Sequence, residues 1–329
     1  MIAFVLNAHP PSDHSAKNCK IMSGEIMRTQ ATHDFAPYDF ACLLLRQSCK
    51  FDLMMNQIDP VCIVEAREAK MLIRSWMMTS MILWAFTMTA DAISADIVDL
   101  FQARQYDSPR HGKLLYRMLP PKQYDSSKSY PLVVFFHGAG ERGSDNVKQL
   151  IHAMSDFSTD AAREKHPCFV VAPQCPEGAQ WVDTPWTADS HTMPVDPSEP
   201  LRLSLELVGA LTKEFSIDQK RIYLTGLSMG GFGVWDAMQR RPDLFAAAVT
   251  VCSGGDAALA KNIAHIPVWV FHGDKDPVVK PQRSRDMVEA LKQAGGTPRY
   301  TEYRDTGHNS WTATYANREV HDWLFAQHK

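Results

Sequence analysis

From residue 114 onward, short apolar runs alternate with stretches of helical spacing, and few folds accept that pattern. Residues 114–119, 132–136, 168–172, 222–225, 246–251, 268–271 and 299–303 read as strands. Helices are expected over 146–154, 201–215, 232–240, 284–294 and 317–325, where apolar residues recur at steps of three and four. Repeated β–α alternation predicts a mostly parallel central sheet with helices on both faces. In such sheets, ligands bind beyond the carboxyl ends of the strands. The connection over 174–200, rich in Pro, Trp and Thr, is too long for a mere link.

One strand–helix junction stands out. Residues 222–225 are apolar and run at once into Gly226-Leu-Ser228-Met-Gly230, after which a helix pattern begins at Phe232 and ends near Pro242. A serine at the apex of a sharp, Gly-flanked strand-to-helix turn is a nucleophile elbow. The glycines let the chain pass close to a strained apex without a Cβ in the way. The helix that starts there points its free N–H groups at any anion formed on the serine.

A serine needs a base, and the base needs an orienting acid. On an elbow of this kind they follow in the order Ser, acid, His, each after a later strand. The loop after residue 271 offers Asp274 and Asp276, and the loop after 303 offers His308. Asp276, followed by Pro277 and a Val-Val pair able to anchor the loop, is the expected acid, with Asp274 the alternative or a plain loop cap. An oxyanion hole takes two backbone N–H groups. Met229, next after the serine, supplies one, and the His137-Gly-Ala-Gly140 loop supplies the other through Ala139, with Gly140 the alternative. His137 reads as a structural hydrogen-bonder. Trp181, Trp186 and His191 in the long loop are candidates for substrate contact, against the simpler reading that the tryptophans pack over the sheet.

Composition narrows the partners. A formal net charge of -3 and a pI near 6.5 give no electrostatic case for nucleic acid or an anionic membrane. Seven cysteines without a C-x-x-C pair suggest neither a disulfide scaffold nor zinc. Cys175 and Cys252 are either bridged or two buried thiols. The first seventy residues show no sustained period, and residues 1–70 read as a non-native extension from an overlong gene model. Residues 71–92 have a basic start, an apolar run and an Ala-Asp-Ala ending, the pattern of a signal peptide starting at Met71. That run falls short of the ~20 residues of a membrane span, so no stable span is expected; a helix over 71–90 is the alternative. The folded domain is then 93–329, and the location secreted or periplasmic.

The segments His137-Gly-Ala-Gly-Glu-Arg-Gly143, Ala172-Pro-Gln-Cys-Pro176 with Trp181, Gly226-Leu-Ser-Met-Gly-Gly231, His272-Gly-Asp-Lys-Asp276 and Gly307-His308 together resemble the α/β-hydrolase superfamily. Within it they are similar to the "predicted peptidase" branch, near the polyhydroxybutyrate-depolymerase-like and phospholipase/carboxylesterase-like esterases. The similarity spans residues 110–328. It implies an α/β-hydrolase fold, a Ser228–Asp276–His308 triad, an oxyanion hole at Ala139 and Met229, no metal or other cofactor, and a small-molecule or polymer ester as substrate. Asn309 stands where related sequences often carry an acid. The expected activity is hydrolysis of carboxylic esters through an acyl-enzyme. A serine peptidase, an acyltransferase and a non-catalytic binding protein are the alternatives; nothing indicates the oligomeric state.

Overall fold

The computed structural model describes residues 97–329. The expected extension over 1–70 and the signal peptide over 71–92 lie outside the described residues. The seven expected runs are strands of one eight-stranded sheet, which a further strand, β1, completes: β1 (Gln102–Ser108), β2 (Gly112–Leu119), β3 (Tyr130–Phe136), β4 (Phe169–Pro173), β5 (Ile217–Leu227), β6 (Ala247–Val251), β7 (Val268–Gly273) and β8 (Arg299–Tyr303). The order is β1-β2-β4-β3-β5-β6-β7-β8. Strands β4 to β8 and β3 run parallel, while β1 and β2 are antiparallel to their neighbours.

The helices are α1 (Met154–Ser158), α2 (Asp160–Lys165), α3 (Glu199–Glu214), α4 (Met229–Arg240), α5 (Ala260–Ile263), α6 (Gln282–Gln293), α7 (Trp311–Ala316) and α8 (Arg318–Phe325). Side-chain periodicity explains the layers. Alternate residues of β3 point to opposite faces: Leu132, Val134 and Phe136 enter a core with α3, α4 and α6, while Val133 and Phe135 enter a second core with α1, α7 and α8. Helix α3 starts where the Ser198 hydroxyl accepts from the Leu201 amide (3.4 Å). It then lays Leu207, Val208 and Leu211 on the sheet.

Two elements differ from expectation. The helix foreseen over 146–154 is broken into a 3-10 turn, Lys148–Leu150, followed by α1 and α2. Asn146 and Ala153 both take positive φ (54° and 65°), which an α-helix cannot absorb. Asn146 is held there from several sides: its amide donates to Gln174 Oε1 (2.7 Å), its side chain to Tyr116 O (3.2 Å), and its carbonyl accepts from Arg117 Nε (2.5 Å). Strand β1 was not foreseen, because its exposed edge carries Gln102, Arg104, Gln105 and Asp107 rather than an apolar run.

The chain leaves β3 to one side for β4 and then crosses to β5 on the other side. This is the topological switch point, the place where open α/β sheets take ligands, beyond the carboxyl ends of β3 and β5. The loops that follow β3, β5, β7 and β8 all leave from that end of the parallel strands. Among the described residues, no helix is long and apolar enough to cross a membrane.

Candidate active site

Ser228 links β5 to α4 with φ 50° and ψ -123°, a conformation that a non-glycine residue holds only when its surroundings impose it. The imposition is steric. A Cβ on Gly230 would lie 2.0 Å from Phe136 O and 2.6 Å from His137 O, and one on Gly226 would lie 2.7 Å from Gly230 O. Helix α4 can therefore start hard against the end of β3 only with glycines at both places. The Ser228 amide is tied to Val251 O of β6 (2.9 Å), so the apex is braced from both sides.

The side chains expected from the later strands meet there. His308 lies with Nε2 2.9 Å from Ser228 Oγ, and its Nδ1–H donates to Asp276 Oδ2 (2.7 Å). Since the carboxylate can only accept, this tautomer leaves Nε2 free to accept the serine O–H. Asp276 is buried, and its Oδ1 accepts from the amides of Val278 (2.8 Å) and Val279 (3.0 Å). Burial alone would push its carboxyl up. Hydrogen bonds from His272, His308 and the two amides outweigh that and hold it well below the usual carboxylate range. Asp274 instead accepts from the Thr306 amide (3.2 Å), capping the neighbouring loop. The arrangement can draw a proton from Ser228 to His308 while an ionised Asp276 stabilises the imidazolium.

Ala139 opens a 3-10 turn, Ala139–Glu141, and Met229 opens α4. The first N–H groups of a helix lie outside its own ladder, so both amides are available. The two segments touch where Gly230 meets Phe136 and His137. The loop bearing Ala139 is fixed by the buried His137, whose Nδ1–H donates to Gly138 O (2.6 Å) and whose Nε2 accepts from the Cys175 amide (2.9 Å). Burial pushes this histidine down to about 4, so it is neutral at ordinary pH. Arg142 adds a clamp through Ala139 O (2.9 Å) and Ala179 O (3.2 Å).

Trp181 corrects the sequence reading. It is 0% exposed, stacked on Phe136 with ring centroids 4.6 Å apart, and its Nε1–H donates to His137 O (3.0 Å). A side chain so enclosed packs the loop onto the sheet and cannot wall a cleft. Trp186 is partly exposed over the same core. His191 meets Phe232 of α4 (5.8 Å between rings) and takes a hydrogen bond from Arg283; burial, then the arginine, push it down to about 4. Cys175 and Cys252 are free and buried, so the thiol alternative holds. Sequence reasoning passed over Trp311, whose ring stands edge-on to His308 with centroids 5.3 Å apart. Its place three residues after His308 was the available signal.

A mostly parallel sheet, an elbow serine at its switch point and a histidine–carboxylate pair on later loops define the α/β-hydrolase class. A family model described as phospholipase/carboxylesterase matches residues 123–318, and the chain belongs to that family. It is similar to the crystal structure of a thermostable esterase, with 41% identity and a TM-score of 0.67, covering 71% of this chain and 64% of that one. It is 30% identical over 115 residues to a bifunctional acetylxylan esterase/xylanase of Neocallimastix patriciarum, covering 35% of this chain and 16% of that protein. An acylaminoacyl peptidase of Pyrococcus horikoshii shares the fold at 14% identity, with a TM-score of 0.52 over 68% of this chain and 41% of that one. The chain thus spans under two thirds of each of these relatives.

Proposed function

We propose that the protein is a serine hydrolase of carboxylic esters that works through an acyl-enzyme. The observation that carries this reading is the unbroken chain of hydrogen bonds from Ser228 Oγ through His308 to Asp276, set on a strained apex at the switch point. His308 Nε2 takes the Ser228 proton as Oγ attacks the ester carbonyl. Asp276 holds the imidazole tautomer and stabilises the cation. The amides of Ala139 and Met229 receive the developing oxyanion. His308 then protonates the departing alcohol. Next it activates a water that releases the acid and frees Ser228.

Trp186 and His191 are the side chains of the 174–200 loop assigned to the substrate. Substrates are proposed to be small-molecule or polymer esters. The acetyl esters of xylan head the candidates, on the strength of the relative that carries that activity in its name. Export to the periplasm or the medium belongs to the same proposal and rests on the signal-peptide pattern of residues 71–92. A panel of aryl acetates, acetyl-xylan, feruloyl esters, polyesters and peptide amides tests the reading, with Ser228→Ala run beside the wild type. Turnover of at least one ester, lost in Ser228→Ala, is expected. Cleavage of peptide amides with none of esters would favour a peptidase, and undiminished turnover in Ser228→Ala would end the mechanism.

A further inference from the structure

Asp276 serves two imidazoles, and the second has no part in the mechanism above. His272, at the end of β7, is 0% exposed. Its Nε2 lies 3.1 Å from Asp276 Oδ2 and 3.0 Å from Val279 O. Both are pure acceptors, so Nε2 carries a proton and shares it between them. Its Nδ1 lies 2.7 Å from Ser284 Oγ, whose single O–H faces both this nitrogen and Ser253 O (2.9 Å). The ring is thus pinned at both ends, between the loop of Asp276 and helix α6.

We infer that His272 is a positioning residue for Asp276, holding Oδ2 in the plane that meets His308 Nδ1. The inference rests on the triad reading above and deepens it. Four donors meet this carboxylate: two amides on Oδ1, and His308 and His272 on Oδ2. Because the carboxylate is planar, its two oxygens turn together about the Cβ–Cγ bond, and the His272 N–H on Oδ2 adds to the amides on Oδ1 in fixing that rotation. It also draws charge from the oxygen that faces His308, which limits how strongly an imidazolium is held there. The other titratable groups close to this pair are Glu302, which pairs with His272 in register between β8 and β7, and Cys252 at the end of β6.

The test compares purified wild type, His272→Leu, His272→Gln, Ser284→Ala and Ser228→Ala on p-nitrophenyl acetate across pH, with thermal melts as a check of folding. His272→Leu is expected to lose about 10–100-fold in kcat, the range typical of an outer partner that orients a reacting group, with KM nearly unchanged. The acid limb of its kcat/KM profile should move to higher pH, because Oδ2 then holds the imidazolium more strongly. Glutamine places an N–H donor about where His272 has Nε2, so His272→Gln should recover most of kcat and return the limb. Wild-type kcat and limb in folded His272→Leu, or His272→Gln no better than leucine, would overturn the inference. If His272→Leu does not fold, Ser284→Ala decides: a smaller upward shift of the limb supports the inference, and a wild-type limb refutes it. Loss of activity in Ser228→Ala beside an unaffected His272→Leu counts against this inference alone. Retained activity in Ser228→Ala counts against the triad itself.

Discussion

Gly230→Ala is the perturbation that reads most directly on the elbow. The added Cβ would stand 2.0 Å from Phe136 O, 2.4 Å from Phe136 C and 2.6 Å from His137 O, all of them backbone atoms. Ordinary contact begins near ~3.4 Å, so α4 and the end of β3 must part by about 1.4 Å. No side chain can rotate away to make that room. The segments driven apart are those that carry the Met229 and Ala139 amides, so an oxyanion no longer reaches both. Losing one such donor costs about 10²–10³ in rate, and overpacking a tight contact costs about 1–3 kcal/mol of stability. Gly209→Ala is the control, because a Cβ there meets nothing within 4 Å on the exposed side of α3. It should keep full activity and raise stability by about 0.5–1 kcal/mol. Kinetics on p-nitrophenyl acetate and a chemical unfolding curve of each variant are sufficient. A folded Gly230→Ala with kcat within a few-fold of wild type would refute the reasoning.

Asp276→Asn cannot hold the His308 tautomer that leaves Nε2 facing the serine, so kcat should fall by about 10⁴ while near-UV circular dichroism stays native. Trp181→Ala should show its effect in stability, with about 3–5 kcal/mol lost on urea unfolding; a raised KM without that loss would return Trp181 to the cleft. His137 makes stability depend on pH. Its folded value is pushed down to about 4 from an ordinary 6.5, so the unfolded chain binds a proton that the folded one refuses. Its contribution is full above pH 6.5 and is lost as pH falls toward 4, by up to about 1.4 kcal/mol per pH unit. Urea midpoints at pH 7 and pH 4.5 should therefore converge in His137→Gln relative to wild type, and a parallel pair of slopes would contradict this.

Much of this was legible because parallel strands buried on both faces must be apolar along their whole length. Strands β3, β4, β6 and β7 therefore announce themselves as runs. Strand β1 sits at an edge, where one side of the ladder and much of its surface meet water, and its polar sequence gives no such signal. The break in the 146–154 helix comes from contacts to Asn146 made by residues far away in the chain, among them Gln174 and Arg117. No local pattern encodes those. The meeting of Ser228, Asp276 and His308 was readable from their order after successive strands. That Trp181 lies beneath its loop was not, since an indole that walls a cleft and one that staples a loop have the same composition around them. The second imidazole on Asp276 was hidden for a related reason. His272 precedes the acid by four residues, and only the fold of the 273–279 loop turns it back onto the carboxylate.

The most direct test of the central claim is covalent. Treatment with diisopropyl fluorophosphate, followed by peptide mapping in a mass spectrometer, should place one phosphoryl adduct on Ser228. Esterase activity should fall in step with it, and His308→Ala should take up the label far more slowly. A protein that stays active after treatment, or an adduct on another residue that accounts for the loss, would contradict the account.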